Sequence, residues 1–277
     1  MTQSMTTDGK SRRAQALVTG ASSGIGAAFA QRLAREGYDL IVVARRQERL
    51  EALAERLRRE EGVEVEVLVE DLVRDDDLRT VEQRLASSDS LAMLINNAGA
   101  GGYAPFLDLD PVQAEALIRL HTVAPVRLVR AALPGMVARG SGAIINVASM
   151  LAFSAGVPAA APLPKRAVYA AAKAFMTTFT EILHGELAGT GVRVQALCPA
   201  VVRTEFHEVT GTDMSRVPPE LIMEPDAVVQ ASLAALRLGD LICVPFLEDA
   251  SSLTAARNEA FGQAMNTRRD QVAARYR

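Results

Sequence analysis

The sequence predicts an α/β fold in which a doubly wound parallel sheet of about seven strands is covered by helices on both faces. Short runs of almost entirely apolar residues alternate with longer segments of helical periodicity along nearly the whole chain. Most of these runs lack the polar–apolar alternation of strands with one face in water, so the sheet is expected to be buried on both faces. This order of elements is typical of a parallel sheet.

The predicted elements follow each other closely along the chain. A run at 16–20 predicts the first strand, and a helix at 24–36 follows it. The next strand is predicted at 39–44, before a charged amphipathic helix at 48–61. A glycine follows each of these helices, as is common after a helix end. Further strands are predicted at 63–70, 91–97, 142–149, 192–198 and 241–245, and the longest helices at 111–139 and 167–188.

The remaining stretches do not fit this alternation. Residues 152–165 contain several prolines, which predict an irregular loop. The segment 251–277 has mixed polarity and is predicted to be a helical tail, either a surface helix or one that packs on a second subunit. The polar residues 1–12 are expected to be flexible. No linker, charge block or repeat divides 13–250, which is therefore predicted to be one domain.

Composition excludes several classes of protein. The 277 residues include 49% hydrophobic and 23% charged side chains, so the chain can bury a sizeable core and is not expected to be disordered. A net charge of −3 supplies neither a basic surface for nucleic acid nor a polybasic patch for an anionic membrane. The sequence also lacks an apolar run of the roughly 18–20 residues that a membrane span needs, and its start does not resemble a signal peptide.

Cysteine usage points to a reducing compartment. The two cysteines, Cys198 and Cys243, lie in apolar stretches and have no spacing typical of a zinc site. Neither a disulfide framework nor a bound metal is expected. We therefore expect a cytoplasmic protein.

A glycine-rich turn follows the first predicted strand. The stretch TGASSGIG carries Gly20, Gly24 and Gly26 between a strand and a helix. Such a turn lets backbone N–H groups approach a pyrophosphate at the helix N-terminus. Glycines often serve only a tight turn, but the position in the first strand–helix unit favours nucleotide binding.

The residues after the second strand favour a phosphorylated cofactor. Dinucleotide sites often place a carboxylate there, on the 2′-hydroxyl of the adenosine ribose. This chain has Arg45 and Arg46 instead. A guanidinium can bind a 2′-phosphate in bidentate fashion, whereas a carboxylate repels it. The alternative is that both arginines simply begin a solvated helix. We predict NADP(H) as the cofactor in preference to NAD(H).

Tyr169 and Lys173 are candidate catalytic residues. They are four positions apart in AVYAAAKAF, so they lie on one face of the predicted helix. A phenol has a pKa of about 10, which a nearby cation moves toward neutrality. The small apolar residues around the pair suggest the wall of a site. Ser149 closes a predicted strand, at the end of the sheet where ligands bind, and its hydroxyl can bind a substrate oxygen.

Together these residues resemble the short-chain dehydrogenase/reductase family, in its single-domain, NADP-preferring branch. The resemblance covers about residues 14–245. Each motif is weak alone, but their number and order are specific. The motifs are TGASSGIG at 19–26, NNAG at 96–99, Ser149, the Tyr169–Lys173 pair and CPAVVRTEF at 198–206.

The resemblance implies a Rossmann-like domain that transfers a hydride between NADP(H) and a carbonyl or alcohol. Tyr169 is expected to be the general acid in reduction and the general base in oxidation. Lys173 is expected to lower the pKa of Tyr169 and hold the nicotinamide ribose, and Ser149 to orient the substrate oxygen. The residues implied in cofactor binding are Gly20, Ser22, Ser23, Gly24, Ile25, Gly26, Arg45, Arg46, Asp71, Leu72, Asn97, Ala98, Gly99, Tyr169, Lys173, Val202 and Thr204.

His121 departs from the family pattern. It stands where the family usually has an asparagine whose backbone carbonyl holds a water of the proton relay. Pro125, four residues later, has no N–H to satisfy that carbonyl in a helix. We interpret His121 as a relay residue acting through its carbonyl. A titrating imidazole would add a pKa near 6–7 to the activity profile.

Two further departures concern loops. Ser149 and Tyr169 are about 20 positions apart, more than the family's usual dozen or so, because of the proline-rich insertion. The insertion can be a lid, a specificity element or a subunit contact, and Ser154 is an alternative to Ser149. Pro199-Ala200 replaces the family's Pro-Gly, and alanine accepts a positive φ poorly, so this turn is expected to differ slightly.

The favoured function is reduction of a small to medium-sized apolar carbonyl compound or oxidation of the alcohol. Phe106, Leu151, Phe153, Phe206 and His207 suggest an apolar pocket. A catalytically silent NADP-binding regulatory protein is the main alternative, and isomerisation or dehydration with bound cofactor a weaker one. The family resemblance also implies a homodimer or homotetramer built on the two long helices.

Overall fold

The computed structural model describes residues 13–158, 165–206, 213–266 and 274–276. The segment 1–12, part of the proline-rich loop and His207 lie outside the described residues. The chain divides into two compact units, Met1–Pro245 and Phe246–Arg277.

The first unit is built on a seven-stranded parallel sheet with the strand order β3-β2-β1-β4-β5-β6-β9. The predicted fold class is therefore confirmed. A separate pair, β7 and β8, forms a two-residue parallel bridge that the sequence did not predict. The strands are β1 (Gln15–Thr19), β2 (Asp39–Ala44), β3 (Val65–Val69), β4 (Leu91–Asn96), β5 (Gly142–Val147), β6 (Val192–Leu197), β7 (Val201–Val202), β8 (Ile222–Met223) and β9 (Ile242–Cys243).

Both faces of the sheet are buried, which explains the apolar runs. Along β1, Ala16 and Val18 belong to the core on one face, while Leu17 between them belongs to the core on the other face. Side chains alternate between faces along a strand, so a strand covered on both sides needs apolar residues at every position. All three side chains are fully buried.

Helices fill the connections between the strands. In the first unit they are α1 (Gly24–Arg35), α2 (Gln47–Glu61), α3 (Asp75–Ala86), α4 (Pro111–Ile118), α5 (Ala124–Ala138), α6 (Ala167–Glu186) and α7 (Pro225–Leu238). Gly62 follows α2 with a left-handed backbone, as its sequence position predicts.

The helix predicted at 111–139 is interrupted by one π-helical turn, Arg119–Val123, between α4 and α5. Within it the N–H of Ala124 donates to the carbonyl of Arg119, five residues earlier. Pro125 has no N–H to continue the α-helical pattern, which gives the turn a physical reason. The widened turn carries His121 into the protein interior.

The strand predicted at 142–149 ends earlier, because β5 stops at Val147. Ser149 instead precedes the short 3₁₀ helix Met150–Phe153, and its hydroxyl accepts a hydrogen bond from the Leu151 N–H at 3.2 Å. Its side chain is therefore oriented by a cap rather than by the strand.

In the second unit, α8 covers Ser252–Asn266 and a short 3₁₀ helix covers Ala274–Tyr276. Among the helices that the structure describes, none combines the length and apolar composition needed to cross a membrane.

Candidate active site

The predicted site residues lie at the carboxyl ends of the parallel strands. β1, β2, β4, β5 and β6 all end at the same edge of the sheet, where the glycine-rich turn, the NNAG turn and Ser149 begin. In open α/β sheets this edge is where ligands bind.

The glycine-rich turn needs its glycines for conformation and for space. Gly20 and Gly24 have positive φ values of 68° and 54°. Gly26 lies in α1 with an ordinary helical backbone, but a Cβ there would lie 2.3 Å from the Gly20 carbonyl oxygen. The first turn of α1 therefore packs directly against the end of β1.

The NNAG turn is tied to the end of β1. The Asn97 side-chain amide donates to the Thr19 carbonyl at 2.9 Å. The Thr19 hydroxyl accepts from the backbone N–H groups of Asn97 and Ala98 at 2.9 and 3.0 Å. These bonds hold the two predicted cofactor-binding turns against each other.

Arg46 contacts the glycine-rich turn directly. Its guanidinium donates to the Ser22 hydroxyl at 2.9 Å and to the Ser23 hydroxyl at 2.6 Å. Arg45 is more exposed and lies 3.8 Å from the Asp71 carboxylate. Of the two predicted arginines, Arg46 therefore lies with the serines of the turn.

Tyr169 is buried, and its hydroxyl interacts with the side chains of Ser149 and Tyr103. Burial raises the pKa of the Tyr169 phenol well above its usual value, and the Ser149 hydrogen bond opposes that shift. The phenol is therefore protonated near neutral pH. Ser154, the alternative to Ser149, instead donates to the Leu151 carbonyl and accepts from Arg166.

Lys173 lies one helical turn beyond Tyr169, as the spacing predicted. Its ammonium is 5.7 Å from the Tyr169 ring centroid and donates to the Val147 carbonyl at 2.7 Å. Burial lowers the pKa of Lys173 to about 8. Burial raises the pKa of Tyr169 in this structure, and the lowering expected from Lys173 stays a prediction.

His121 lies between the NNAG turn and Tyr169. Its Nε2 is 2.8 Å from the Ala100 carbonyl oxygen, and its ring meets the Tyr169 ring edge-on with centroids 5.4 Å apart. A Cβ on Gly99 would lie 2.9 Å from the imidazole, so glycine makes room for the ring. Among the described residues Nδ1 has no partner.

The imidazole of His121 is neutral over the working pH range. Burial lowers its pKa to about 3, and the positive charge of Lys173 acts in the same direction. The activity profile should therefore lack a pKa of 6–7 from this ring.

The buried imidazole should make the protein less stable in acid. Below pH 6.5 the unfolded chain binds a proton at His121 that the folded chain does not, so stability falls as pH falls toward 3. Between pH 7 and pH 5 the loss is about 2 kcal/mol. When the free energy of unfolding is measured with urea at both pH values, His121→Asn should lose about 2 kcal/mol less than wild type does. His184→Asn, at an exposed position, should behave like wild type; an equal loss in all three proteins would contradict the prediction.

A chain of buried side-chain hydrogen bonds connects the sheet to α6. The Asn96 side-chain amide donates from Nδ2 to Oδ1 of Asn146 at 2.8 Å, and Nδ2 of Asn146 donates to the Thr180 hydroxyl at 2.9 Å. Thr180 in turn donates to the Met176 carbonyl. The helix that carries Tyr169 is thus bonded to β5 through polar groups as well as by packing.

Several predicted cofactor-binding residues face the core rather than the crevice. Leu72 and Val202 are buried in the two hydrophobic cores, and Ile25 packs against one of them. For Leu72 and Val202 this leaves mainly backbone groups to a ligand, whereas the Ile25 side chain is partly exposed. Thr204 lies beside the glycine-rich turn, because a Cβ on Gly24 would be 2.9 Å from its methyl group.

Tyr103 was not singled out by sequence reasoning. Its ring centroid lies 5.2 Å from that of Tyr169 and 6.2 Å from that of Phe206. Burial raises the pKa of Tyr103 to about 12.

Phe106, which the sequence placed in the substrate pocket, lines a separate groove of about 390 Å³ with residues of α4 and α6. No described non-glycine residue has a positive φ, so the turn at Ala200 carries no such strain.

The residues fit a nicotinamide dinucleotide. Gly20 and Gly24 leave space beside Asn97 and Thr204 that a Cβ would fill. Arg46, at the end of β2, is the group that suits a phosphate on the adenosine ribose.

Comparison with known proteins identifies the family. A family model described as short chain dehydrogenase matches residues 14–215, which include the glycine-rich turn, Ser149, Tyr169 and Lys173. The chain belongs to the short-chain dehydrogenase family. Members of this family are oxidoreductases, and this dehydrogenase has the family's seven-stranded parallel sheet.

Two solved structures resemble this short-chain dehydrogenase over nearly its whole length. A short-chain dehydrogenase from Sphingobium yanoikuyae in complex with NADPH is 40% identical, with a TM-score of 0.87 and coverage of 95% of this chain and 100% of that one. The bulky-bulky ketone specific alcohol dehydrogenase from Comamonas testosteroni is 34% identical, with a TM-score of 0.83 and coverage of 95% and 98%.

A curated relative is longer than this dehydrogenase. The very-long-chain 3-oxoacyl-CoA reductase from Anas platyrhynchos is 30% identical over 211 residues, which cover 75% of this chain and 65% of the relative. The chain therefore spans less than two thirds of that relative's length.

Proposed function

We propose that this short-chain dehydrogenase is an NADP(H)-dependent oxidoreductase that interconverts a ketone and a secondary alcohol on a small to medium-sized apolar substrate. The observation that carries the proposal is the position of the buried Tyr169 hydroxyl beside Ser149, with the Lys173 ammonium 5.7 Å from the Tyr169 ring centroid. Bound NADPH would supply the hydride.

Tyr169 serves as the general acid in reduction. Its phenol is protonated near neutral pH because burial raises its pKa, so it has a proton to donate to a carbonyl oxygen that becomes an alkoxide. Ser149 donates to the same oxygen and orients it. Lys173 places a positive charge beside the phenol, which stabilises the phenolate that Tyr169 becomes when it has given up its proton.

Cofactor selection is assigned to Arg46. Its contacts with Ser22 and Ser23 support an anion site for the 2′-phosphate, and the NADPH complex of the Sphingobium relative supports the same preference. His121 keeps the NNAG turn in position through Ala100, and its backbone carbonyl is the proposed relay group.

The substrate is assigned from the surroundings of Tyr169. The rings of Tyr103 and Phe206 lie 5.2 and 6.1 Å from its ring. Aromatic surfaces bury apolar groups well. The Comamonas relative acts on ketones with two bulky groups, which supports a ketone flanked by apolar groups on both sides.

The proposal is tested by NADPH and NADH oxidation with propanone, acetophenone and benzophenone. We expect NADPH to be preferred at least about tenfold, and the aryl ketones to have the higher kcat/KM. A preference for NADH would contradict the assigned role of Arg46. Tight NADPH binding without turnover on any ketone would favour the catalytically silent, regulatory protein.

We also propose that the protein is a cytoplasmic homo-oligomer with 13–250 as its catalytic domain. Both cysteines are buried free thiols, which suits a reducing compartment. Exposed apolar side chains on α6, Phe175 and Ile182, support self-association through that helix. Light scattering at micromolar concentration should give a dimer or tetramer; a monomer would contradict this proposal.

A further inference from the structure

Glu205 lies between two arginines at the start of α2. Its carboxylate accepts hydrogen bonds from Arg46 Nη1 at 2.8 Å and from Arg49 Nη1 at 2.6 Å. Both carboxylate oxygens are engaged, because Arg49 Nη1 is also 2.7 Å from the second oxygen. These hydrogen bonds lower the pKa of Glu205, so the group is an anion at neutral pH.

The same Arg46 guanidinium binds the hydroxyl groups of Ser22 and Ser23. Two guanidinium groups and two hydroxyl groups are a donor set that suits a phosphate better than a carboxylate, because a phosphate has more acceptor oxygens and more charge. A carboxylate that reaches this set from a distant segment of the chain therefore occupies an anion site of phosphate type.

We propose that Glu205 is a cofactor-specificity residue whose carboxylate competes with the 2′-phosphate of NADP(H) for Arg46 and Arg49. This inference rests on the proposed function, in which Arg46 binds that phosphate. A phosphate carries about −1.5 to −2 charges and displaces the single charge of Glu205. A cofactor without the phosphate has no group that competes for these arginines.

The expected size of the effect follows from exposure. The side chains of Arg46 and Glu205 are 43% and 40% exposed, and ion pairs of this kind are weakened by water and salt. The competition should therefore reduce affinity for the phosphorylated ligand by about three- to tenfold.

The segment that carries Glu205 also borders the reacting groups. Thr204 packs beside Gly24, and the Phe206 ring lies 6.1 Å from the Tyr169 ring. Movement of the Glu205 carboxylate would therefore move a segment that contacts both the glycine-rich turn and the Tyr169 ring.

The test is the binding of two fragments to Glu205→Gln by titration calorimetry. Adenosine 2′,5′-bisphosphate carries the 2′-phosphate, and 5′-AMP lacks it. The variant should bind the bisphosphate about three- to tenfold more tightly than wild type does, and 5′-AMP within about twofold. Glu224→Gln is the matched control, since Glu224 pairs with Arg203 in the same region, at 2.7 Å. It should leave both affinities unchanged.

The outcomes separate this inference from the proposed function. Unchanged or weaker bisphosphate binding by Glu205→Gln, or an equal gain for both fragments, would overturn the role of Glu205. Tighter binding of NAD⁺ than of NADP⁺ by wild type would contradict the proposed cofactor preference. In that case the ratio of bisphosphate affinities between Glu205→Gln and wild type still decides whether the carboxylate competes at the site.

Discussion

Tyr169→Phe is expected to lower kcat for ketone reduction by about 10²- to 10⁴-fold, the usual contribution of a general acid. The substitution removes only the hydroxyl, which lies beside Ser149. The phenylalanine ring can keep the edge-on contacts with Tyr103 and His121. The carbonyl oxygen would then have to take its proton from water, so the loss should appear in kcat.

Cofactor affinity separates this effect from a general disturbance of the site. The affinity of Tyr169→Phe for NADPH, measured by titration, should stay within a few-fold of the wild-type affinity. Tyr38→Phe, a partly buried tyrosine packed against the core away from Ser149, is the matched control and should retain wild-type kcat. A Tyr169→Phe enzyme with more than a tenth of wild-type kcat would exclude Tyr169 as the acid.

Gly26→Ala is expected to lower the free energy of unfolding by more than about 3 kcal/mol. The added Cβ would lie 2.3 Å from the Gly20 carbonyl oxygen and 2.5 Å from the Asn97 amide nitrogen. Neither atom belongs to a flexible side-chain end that can move away freely, since Asn97 is bonded to the end of β1. The gain in helix propensity, about 1 kcal/mol, is too small to compensate.

Gly185→Ala is the control for that measurement. Gly185 also lies inside a helix, but a Cβ there would have no neighbour within 4 Å. This substitution should leave stability unchanged or raise it by up to about 1 kcal/mol. If urea unfolding showed the same change in the free energy of unfolding for both variants, the steric argument would be contradicted.

The sheet could be predicted from sequence because of its burial. A strand covered on both faces requires an apolar run, and most strands of the sheet coincide with one, although Glu66 in β3 and Arg193 in β6 interrupt theirs. The β7–β8 bridge has two residues in each strand, too few to produce a pattern. The π-helical turn leaves the helical periodicity nearly intact, and its one signal in the sequence was Pro125.

The candidate site was predictable where its residues are neighbours in sequence. The positions of Tyr169 and Lys173 on one helix face follow from their spacing alone. The contact between Arg46 and Glu205 joins residues 159 positions apart, and no local pattern reports it. Tyr103 was missed for the same reason. The pKa direction of Tyr169 also required the structure, because it depends on how much water the fold removes from the phenol.

The hydrogen bonds between β5 and α6 have a consequence for how this enzyme can change. Asn146 bonds Thr180, and the Val147 carbonyl bonds Lys173, so the helix is fixed along its axis at two points. Apolar packing alone would tolerate small axial sliding, whereas directional bonds do not. The helix that carries the proposed acid is therefore held in place by the scaffold, while Tyr103 and Phe206, which contact the Tyr169 ring, belong to segments outside that helix. Substitutions in those segments should change the surroundings of Tyr169 without shifting the helix itself.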